Sequence, residues 1–296
     1  MKLRAIHVSK DHKWVVCGTS NGASVWDGDM DEKLITVEGG NDVWAVDVSP
    51  DSTRFATGTN KFEVSIWNIT AERLVGPLKH DNSVTGAKFS PSGGQIATAC
   101  YGGSIRIFDS YNGDKLISID TTTPNIAATT PLAWSADGQQ IFATSNDDKI
   151  RSFDASTGSQ LAELQILNDG YDVTSIALAP NGKFIATFAD QSISFLDAST
   201  LTRTGPVISD SGEIRSIVIS QDNSYLATGQ FYGKIVIHKL SQILSDSYGP
   251  FHVRLYALIA PACWANPALT NCVGIYSPST TTRTTFSIVW LRRQAT

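Results

Sequence analysis

The sequence predicts an all-β protein of four-stranded sheets set around an axis, a β-propeller. Three observations predict it: a strand-end marker recurring at a fixed interval, a turn signal in phase with it, and gaps too short for helices. The strand-end markers are Trp26-Asp27, Trp67-Asn68, Phe108-Asp109, Phe153-Asp154, Leu196-Asp197 and His238-Lys239. They recur roughly every 41 to 45 residues, the spacing of a radial repeat array. The turn signal reads Ser9-Lys10-Asp11, Ser49-Pro50-Asp51, Ser90-Pro91-Ser92, Ser135-Ala136-Asp137, Ala179-Pro180-Asn181 and Ser220-Gln221-Asp222. Two independent markers in register over six copies set the fold before any motif is considered.

Each copy has the same internal order. In the second, Val43 to Val48 is a first strand, closed by the Ser-Pro-Asp turn. Arg54 to Gly58 is a second, Val64 to Trp67 a third, and Arg73 to Leu78 a fourth. Short runs rich in Val, Ile, Phe, Trp and Thr between Ser/Pro/Asp/Gly/Asn clusters are strands joined by tight turns. No gap accommodates ten residues with a 3.6-residue apolar period, so no helix interrupts the meander. One four-stranded sheet cannot bury both faces and must stack on its neighbours; the aromatic marker is expected to pack against the next meander. A radial arrangement leaves only short, protected edges. The expected blades span about residues 1–40, 41–80, 81–124, 125–168, 169–210 and 211–240.

Phrases such as "SPDSTRFATGT…VSIWN", "FSPSGGQIATACYGGSIRIFD" and "ISQDNSYLATGQFYGKIVI" look like WD repeats, and the resemblance runs from about Leu3 to about Leu240. In that family a His, a Ser or Thr, a turn Asp and the Trp form a hydrogen-bonded set. The resemblance therefore implies structural roles for Trp26, Trp67 and His80, and for Phe108 and Phe153 at the Trp position. Only His80 occupies the family's His position; Asp147 is the clearest turn Asp, with Asn21, Gly102 and Tyr232 replacing it elsewhere. With the set so depleted, apolar packing is expected to outweigh polar networks.

After Leu240 the pattern fails. Thr280 stands where a seventh marker is due, and residues 241–296 form an atypical tail. Phe251 to Ala260 could be an innermost strand and Thr285 to Trp290 a third strand, with Pro261 and Pro267 between them. The tail is either a degenerate seventh blade or a replaced end. The chain opens directly on an innermost strand, so closure falls to the tail. We expect an imperfectly closed six-blade body whose tail partly occupies a seventh position.

Bulk properties narrow the function. A net charge of −5 with no Lys/Arg stripe argues against nucleic acid as a partner. The tail's apolar run is broken by Arg254 and the prolines and is too short to span a membrane. The amino terminus lacks the long apolar core of a secretory signal. Cys17, Cys100, Cys263 and Cys272 show no C-x-x-C spacing, so neither zinc nor a redox pair is indicated. Cys17 and Cys100 are expected as buried free thiols in a reducing, cytoplasmic setting, with the nucleus as the other option.

Catalytic patterns are missing. There is no phosphate-binding G-x-x-x-x-G-K-[ST], no G-x-S-x-G and no H-E-x-x-H, and His7, His12, His80, His238 and His252 lack ligand spacing. Asp147-Asp148 reads as a solvated turn and Asp47 as a satisfied structural acid. No cofactor, metal or small-molecule substrate is indicated.

A binding face can be argued positively. The innermost strands should begin at Leu3, Val43, Val84, Thr129, Val173 and Ile214, with the flanking residues pointing to the rim. That places Arg4, Asp42, Trp44, Thr85, Asp172, Thr174, Glu213 and Arg215 there, and binding hot spots favour Trp and Arg. A plain solvated rim, with Trp44 packing between blades, is the competing reading. The resemblance implies a non-catalytic scaffold that binds partner proteins or peptides on its rim. The alternatives are the sensing array of a signalling ATPase encoded without its nucleotide-binding part, or an enzyme with a channel-mouth site.

Overall fold

The computed structural model describes residues 2–28, 33–37, 39–120, 132–144, 149–166, 173–231, 233–244, 275–276 and 287–288. The chain is all-β and forms a six-blade propeller. Blade 1 holds β1 (Leu3–Val8), β2 (Trp14–Thr19), β3 (Gly22–Asp27) and β4 (Lys33–Val37); blade 2 holds β5 (Val43–Val48), β6 (Arg54–Thr59), β7 (Glu63–Asn68) and β8 (Arg73–Lys79). Blade 3 follows with β9 (Val84–Phe89), β10 (Gln95–Cys100), β11 (Ser104–Asp109) and β12 (Lys115–Asp120), and blade 4 with β13 (Leu132–Trp134), β14 (Gln140–Thr144), β15 (Lys149–Asp154) and β16 (Gln160–Gln165). Blade 5 comprises β17 (Val173–Leu178), β18 (Phe184–Ala189), β19 (Ser192–Asp197) and β20 (Ile208–Ser209). Blade 6 comprises β21 (Ile214–Ile219), β22 (Tyr225–Gln230) and β23 (Ile235–Lys239). Every blade is an antiparallel meander in sequence order; the sixth shows three strands among the described residues. A single 3-10 turn, Leu240–Gln242, follows it.

The turn signal works through its Ser. The Ser49 hydroxyl donates to Asp51 Oδ1 at 2.5 Å and accepts from Arg54 N at 3.0 Å, and Ser220 repeats this with Asp222 and Tyr225. The hydroxyl thus satisfies the backbone where the chain reverses into the second strand.

Packing follows the two-residue alternation of a strand. In β7, Val64 and Ile66 enter the apolar cluster shared with blade 3, while Trp67 enters the one shared with blade 1. Phe108 and Phe153 likewise point back, toward blades 2 and 4's predecessor respectively. The marker aromatic therefore packs against the preceding meander and not the next one. Residues before it on the same strand, one pleat away, face forward. Five clusters join blades 1–2, 2–3, 3–4, 4–5 and 5–6. Cys17 and Cys100 are buried free thiols, and burial pushes the Cys17 thiol up to about 12.

Polar contacts accompany this packing. Trp67 Nε1 donates to Thr57 Oγ1 at 3.0 Å, and Trp26 Nε1 to Ser24 Oγ at 3.0 Å. His80 Nε2 meets Thr98 Oγ1 at 2.8 Å, with Phe108 beside the imidazole at 5.6 Å between ring centroids. Blade 6 permutes this set: Asp210 stands where His80 stands, Thr228 Oγ1 donates to it at 2.5 Å, and His238 at the marker position lies 3.0 Å away. Blade 6 thus keeps polar contacts at these places with different residues, an Asp at the His position and a His at the marker position, beside the apolar clusters that join the blades. Asp147 and Asp148 lie outside the described residues.

Candidate functional site

The rim end of the innermost strands is built by a repeated irregularity. β1, β5, β17 and β21 begin at Leu3, Val43, Val173 and Ile214, as expected, and in each the pairing with the second strand skips one residue. The skipped residues are Arg4, Trp44, Thr174 and Arg215. β9 repeats this, pairing Val84 and Gly86 but passing over Thr85. An unpaired bulge residue bends its strand and re-aims its side chain, a device common beside binding sites. The second rim residue of five blades is thus a bulge residue.

Across blades 1 and 2 this brings three of the expected residues together. Arg4 Nε donates to Asp42 Oδ1 at 2.9 Å and its Nη2 to Oδ2 at 2.6 Å, a bidentate pair. The guanidinium carbon lies 5.8 Å from the Trp44 ring centroid. Burial alone would raise the Asp42 carboxyl; Arg4 and the facing Trp44 indole N–H outweigh it and hold it below the usual carboxylate range. Trp44 Nε1 itself is buried and meets no hydrogen-bond acceptor with proper geometry. Asp42 is fixed from the other side by the turn after β6: its N–H donates to Asn60 Oδ1 at 3.2 Å, and its carbonyl accepts from Asn60 N at 3.0 Å.

On blade 6, Arg215 Nη2 lies 2.6 Å from Glu213 Oε1, and its guanidinium carbon stands 4.8 Å from the Phe231 ring centroid. Both arginines therefore carry their charge against an aromatic face, an arrangement stabilising by about 0.5–1 kcal/mol at exposed sites.

Thr85 is a correction. Its side chain is buried and its hydroxyl donates to Ala99 O at 3.4 Å, so it faces the sheet and offers nothing to the rim. The bulge at Thr85 leaves a short side chain facing inward. Asp172 and the side chain of Thr174 lie outside the described residues, as do Thr129 and its neighbours.

Aromatic residues in the turns between second and third strands escaped the sequence reading. Phe62, Tyr101 and Phe231 are 43%, 45% and 38% exposed, and all stand at the same end of the propeller as Asp42 and Trp44. The chain places them there: Tyr101 N donates to Ser83 O at 2.8 Å and Phe231 N to Glu213 O at 2.9 Å. Phe62 also has a φ of 66°, an unfavourable region for a bulky side chain. Exposed aromatics in turns otherwise made of Asn, Gly and Lys were the signal.

Within the channel, Asp47 of β5 is a satisfied structural acid. Its Oδ1 accepts from Lys88 Nζ at 2.7 Å, its Oδ2 from Phe89 N at 2.8 Å, and His7 Nε2 lies 3.4 Å away. His7 Nδ1 accepts from Val48 N at 3.1 Å, which leaves the proton on Nε2, facing the carboxylate. Burial, partly opposed by Asp47, lowers the His7 imidazole to about 4, so it is neutral near pH 7. The three groups occupy equivalent places on three successive innermost strands and tie blades 1, 2 and 3. Among the described residues, no group of His, Cys, Asp and Glu has the makings of a metal site, and no helix is long and apolar enough to cross a membrane.

Known proteins share this pattern. Residues 49–130 match the model of the anaphase-promoting complex subunit 4 WD40 domain, and residues 161–197 that of the WD domain, G-beta repeat. The chain is similar to proteins called eukaryotic translation initiation factor 3 subunit I. That from Aspergillus terreus is 28% identical over 263 residues, 84% of this chain and 74% of the relative. That from Candida albicans is 23% identical over 272 residues, 78% of this chain and 77% of the relative. That from Scheffersomyces stipitis is 28% identical over 201 residues, 61% of this chain, which spans only 57% of the relative. The period, the blades and both repeat models agree in showing a propeller built of WD-type repeats.

Proposed function

We propose that this chain is a non-catalytic scaffold that binds partner proteins on the rim formed by the amino-terminal ends of its innermost strands. The recurring bulge carries this reading, because it turns Arg4, Trp44 and Arg215 out of the ladder while the turns display Phe62 and Phe231 beside them. Large rigid aromatics next to guanidinium groups are the residues that dominate protein interfaces. Proteins, rather than nucleic acids or membranes, are the partners in this reading, since net charge is −5 and no cationic stripe exists. The relatives are named as subunits of a translation initiation factor, so we propose that this chain, too, works within a multi-subunit cytoplasmic assembly.

Co-purification with the full chain tests this. Tagged wild type should retain subunits of the initiation factor through washing, and the Trp44→Ala, Arg215→Ala double variant should lose most of them while melting at the same temperature. Equal recovery by both proteins would contradict the assignment of the rim.

A further inference from the structure

The rim end of blades 1 and 2 carries Trp44 and the exposed Phe62, and its charges do not balance. Arg4 closes its bidentate pair on Asp42, and the Lys79 ammonium pairs with Glu63. Lys2 and Lys61 remain. Both are exposed, and neither forms an ion pair among the described residues. Two cations thus stand without a matching acid at this boundary, on a chain whose net charge is −5.

The backbone fixes where these groups stand. Lys2 N donates to Ser20 Oγ at 3.0 Å and Lys2 O accepts from Ser20 N at 2.8 Å, so the residue before β1 is tied to the turn after β2. Burial opposes ionisation of the Asp42 carboxyl, and Lys2 is one of the cations that, with Arg4, outweigh it; its ammonium therefore lies toward Asp42. The turn holding Lys61 and Phe62 is anchored on both sides: Asn60 N donates to Asp42 O at 3.0 Å, and His80 N donates to Phe62 O at 2.8 Å. Between these anchors both side chains are exposed. Phe62 sits at a φ of 66°, a conformation that persists only where its surroundings hold it. Lysines from two adjacent blades and aromatic residues from one of them thus share one end of the boundary.

We propose that the partner segment taken by this part of the rim is acidic. Its Asp or Glu carboxylates pair with Lys2 and Lys61 while a neighbouring apolar side chain lies on Trp44 and Phe62. This rests on the rim being the binding face and adds the chemistry of what binds there. Complementary charge of this kind selects among partners and speeds their encounter. Nucleic acid fits less well, because a phosphate backbone is held by many cations along a stripe, whereas here two stand beside aromatic rings on an acidic protein.

The test titrates the full chain into two short labelled peptides, one alternating Glu and Leu and one alternating Lys and Leu, read by fluorescence anisotropy. The Glu-Leu peptide should bind, and bind less as salt rises, while the Lys-Leu peptide should not. The Lys2→Glu, Lys61→Glu double variant should weaken the Glu-Leu peptide by about tenfold or more, since two exposed pairs are lost and two repulsions gained. Both lysines are exposed, so its unfolding midpoint should stay that of wild type. No binding of the Glu-Leu peptide, equal binding of both peptides, or indifference to the double variant would overturn the proposal. In that last case, loss of binding with Trp44→Ala would leave the rim standing as the binding face, and indifference to Trp44→Ala too would remove both. A single-stranded oligouridylate that binds more tightly than the Glu-Leu peptide, and is lost on the same reversal, would overturn the proposal in favour of nucleic acid.

Discussion

Asp47 and Lys88 form a 2.7 Å ion pair between the innermost strands of blades 2 and 3, with the carboxylate buried and the ammonium reaching the channel. The same carboxylate accepts from the Phe89 amide, so one acid fixes both a charge and a backbone donor of the next blade. Asp47→Ala should destabilise by about 2–3 kcal/mol, since a buried donor left without an acceptor costs about 1–3 kcal/mol and hydrogen bonds to charged groups are the stronger ones. Asp47→Asn keeps the shape and should cost less. Chemical denaturation midpoints measure both; an Asp47→Ala midpoint equal to wild type would rule out this joint as a stabilising one.

A second prediction concerns pH. Burial, with the nearby Arg106 charge, lowers the His80 imidazole from 6.5 to about 4 against the smaller opposing effects of the Leu78 carbonyl and Asp81. A lowered histidine binds its proton more readily in the unfolded chain. The stability it supports is therefore complete above pH 6.5, falls as pH drops, and is gone below about 4. The loss should be on the order of 2–3 kcal/mol for this largely buried ring. Unfolding midpoints at pH 7 and pH 4.5 should differ more for wild type than for His80→Gln. Equal differences would place the pH response elsewhere.

The third concerns Trp67, which stacks on Phe55 with centroids 6.4 Å apart and donates to Thr57. Trp67→Ala should cost roughly 3–5 kcal/mol through loss of a large buried ring. Trp67→Phe keeps most of the packing and should cost about 1–2 kcal/mol, chiefly by orphaning the Thr57 hydroxyl. Calorimetry that ranks the two variants in the opposite order would contradict this division.

Much of this was legible from the sequence because repetition converts single residues into a register. The starts of β1, β5, β9, β17 and β21 fell at Leu3, Val43, Val84, Val173 and Ile214, since strand ends are set by local turn chemistry. What could not be read depended on partners far along the chain. Arg54 looks like a solvated charge before a strand, yet it is buried, donates to Ser110 and Gly93, and lies 4.2 Å from the Tyr111 ring centroid. Thr85 shares the position of Trp44 and still turns inward, with its hydroxyl donating to Ala99 O across the sheet, a contact no local pattern announces. The backward packing of Trp67, Phe108 and Phe153 needed the pleat of each third strand, which the marker alone does not give.

The bulged rim that carries Trp44 is the proposed protein-binding face. The most direct measurement is the affinity of the full chain for a purified subunit recovered with it, for wild type and for Trp44→Ala. Removing a hot-spot aromatic costs about 2 kcal/mol or more, roughly a 30-fold rise in Kd. The predicted result is a weakening of at least that size at an unchanged unfolding midpoint; an unchanged Kd would contradict the claim.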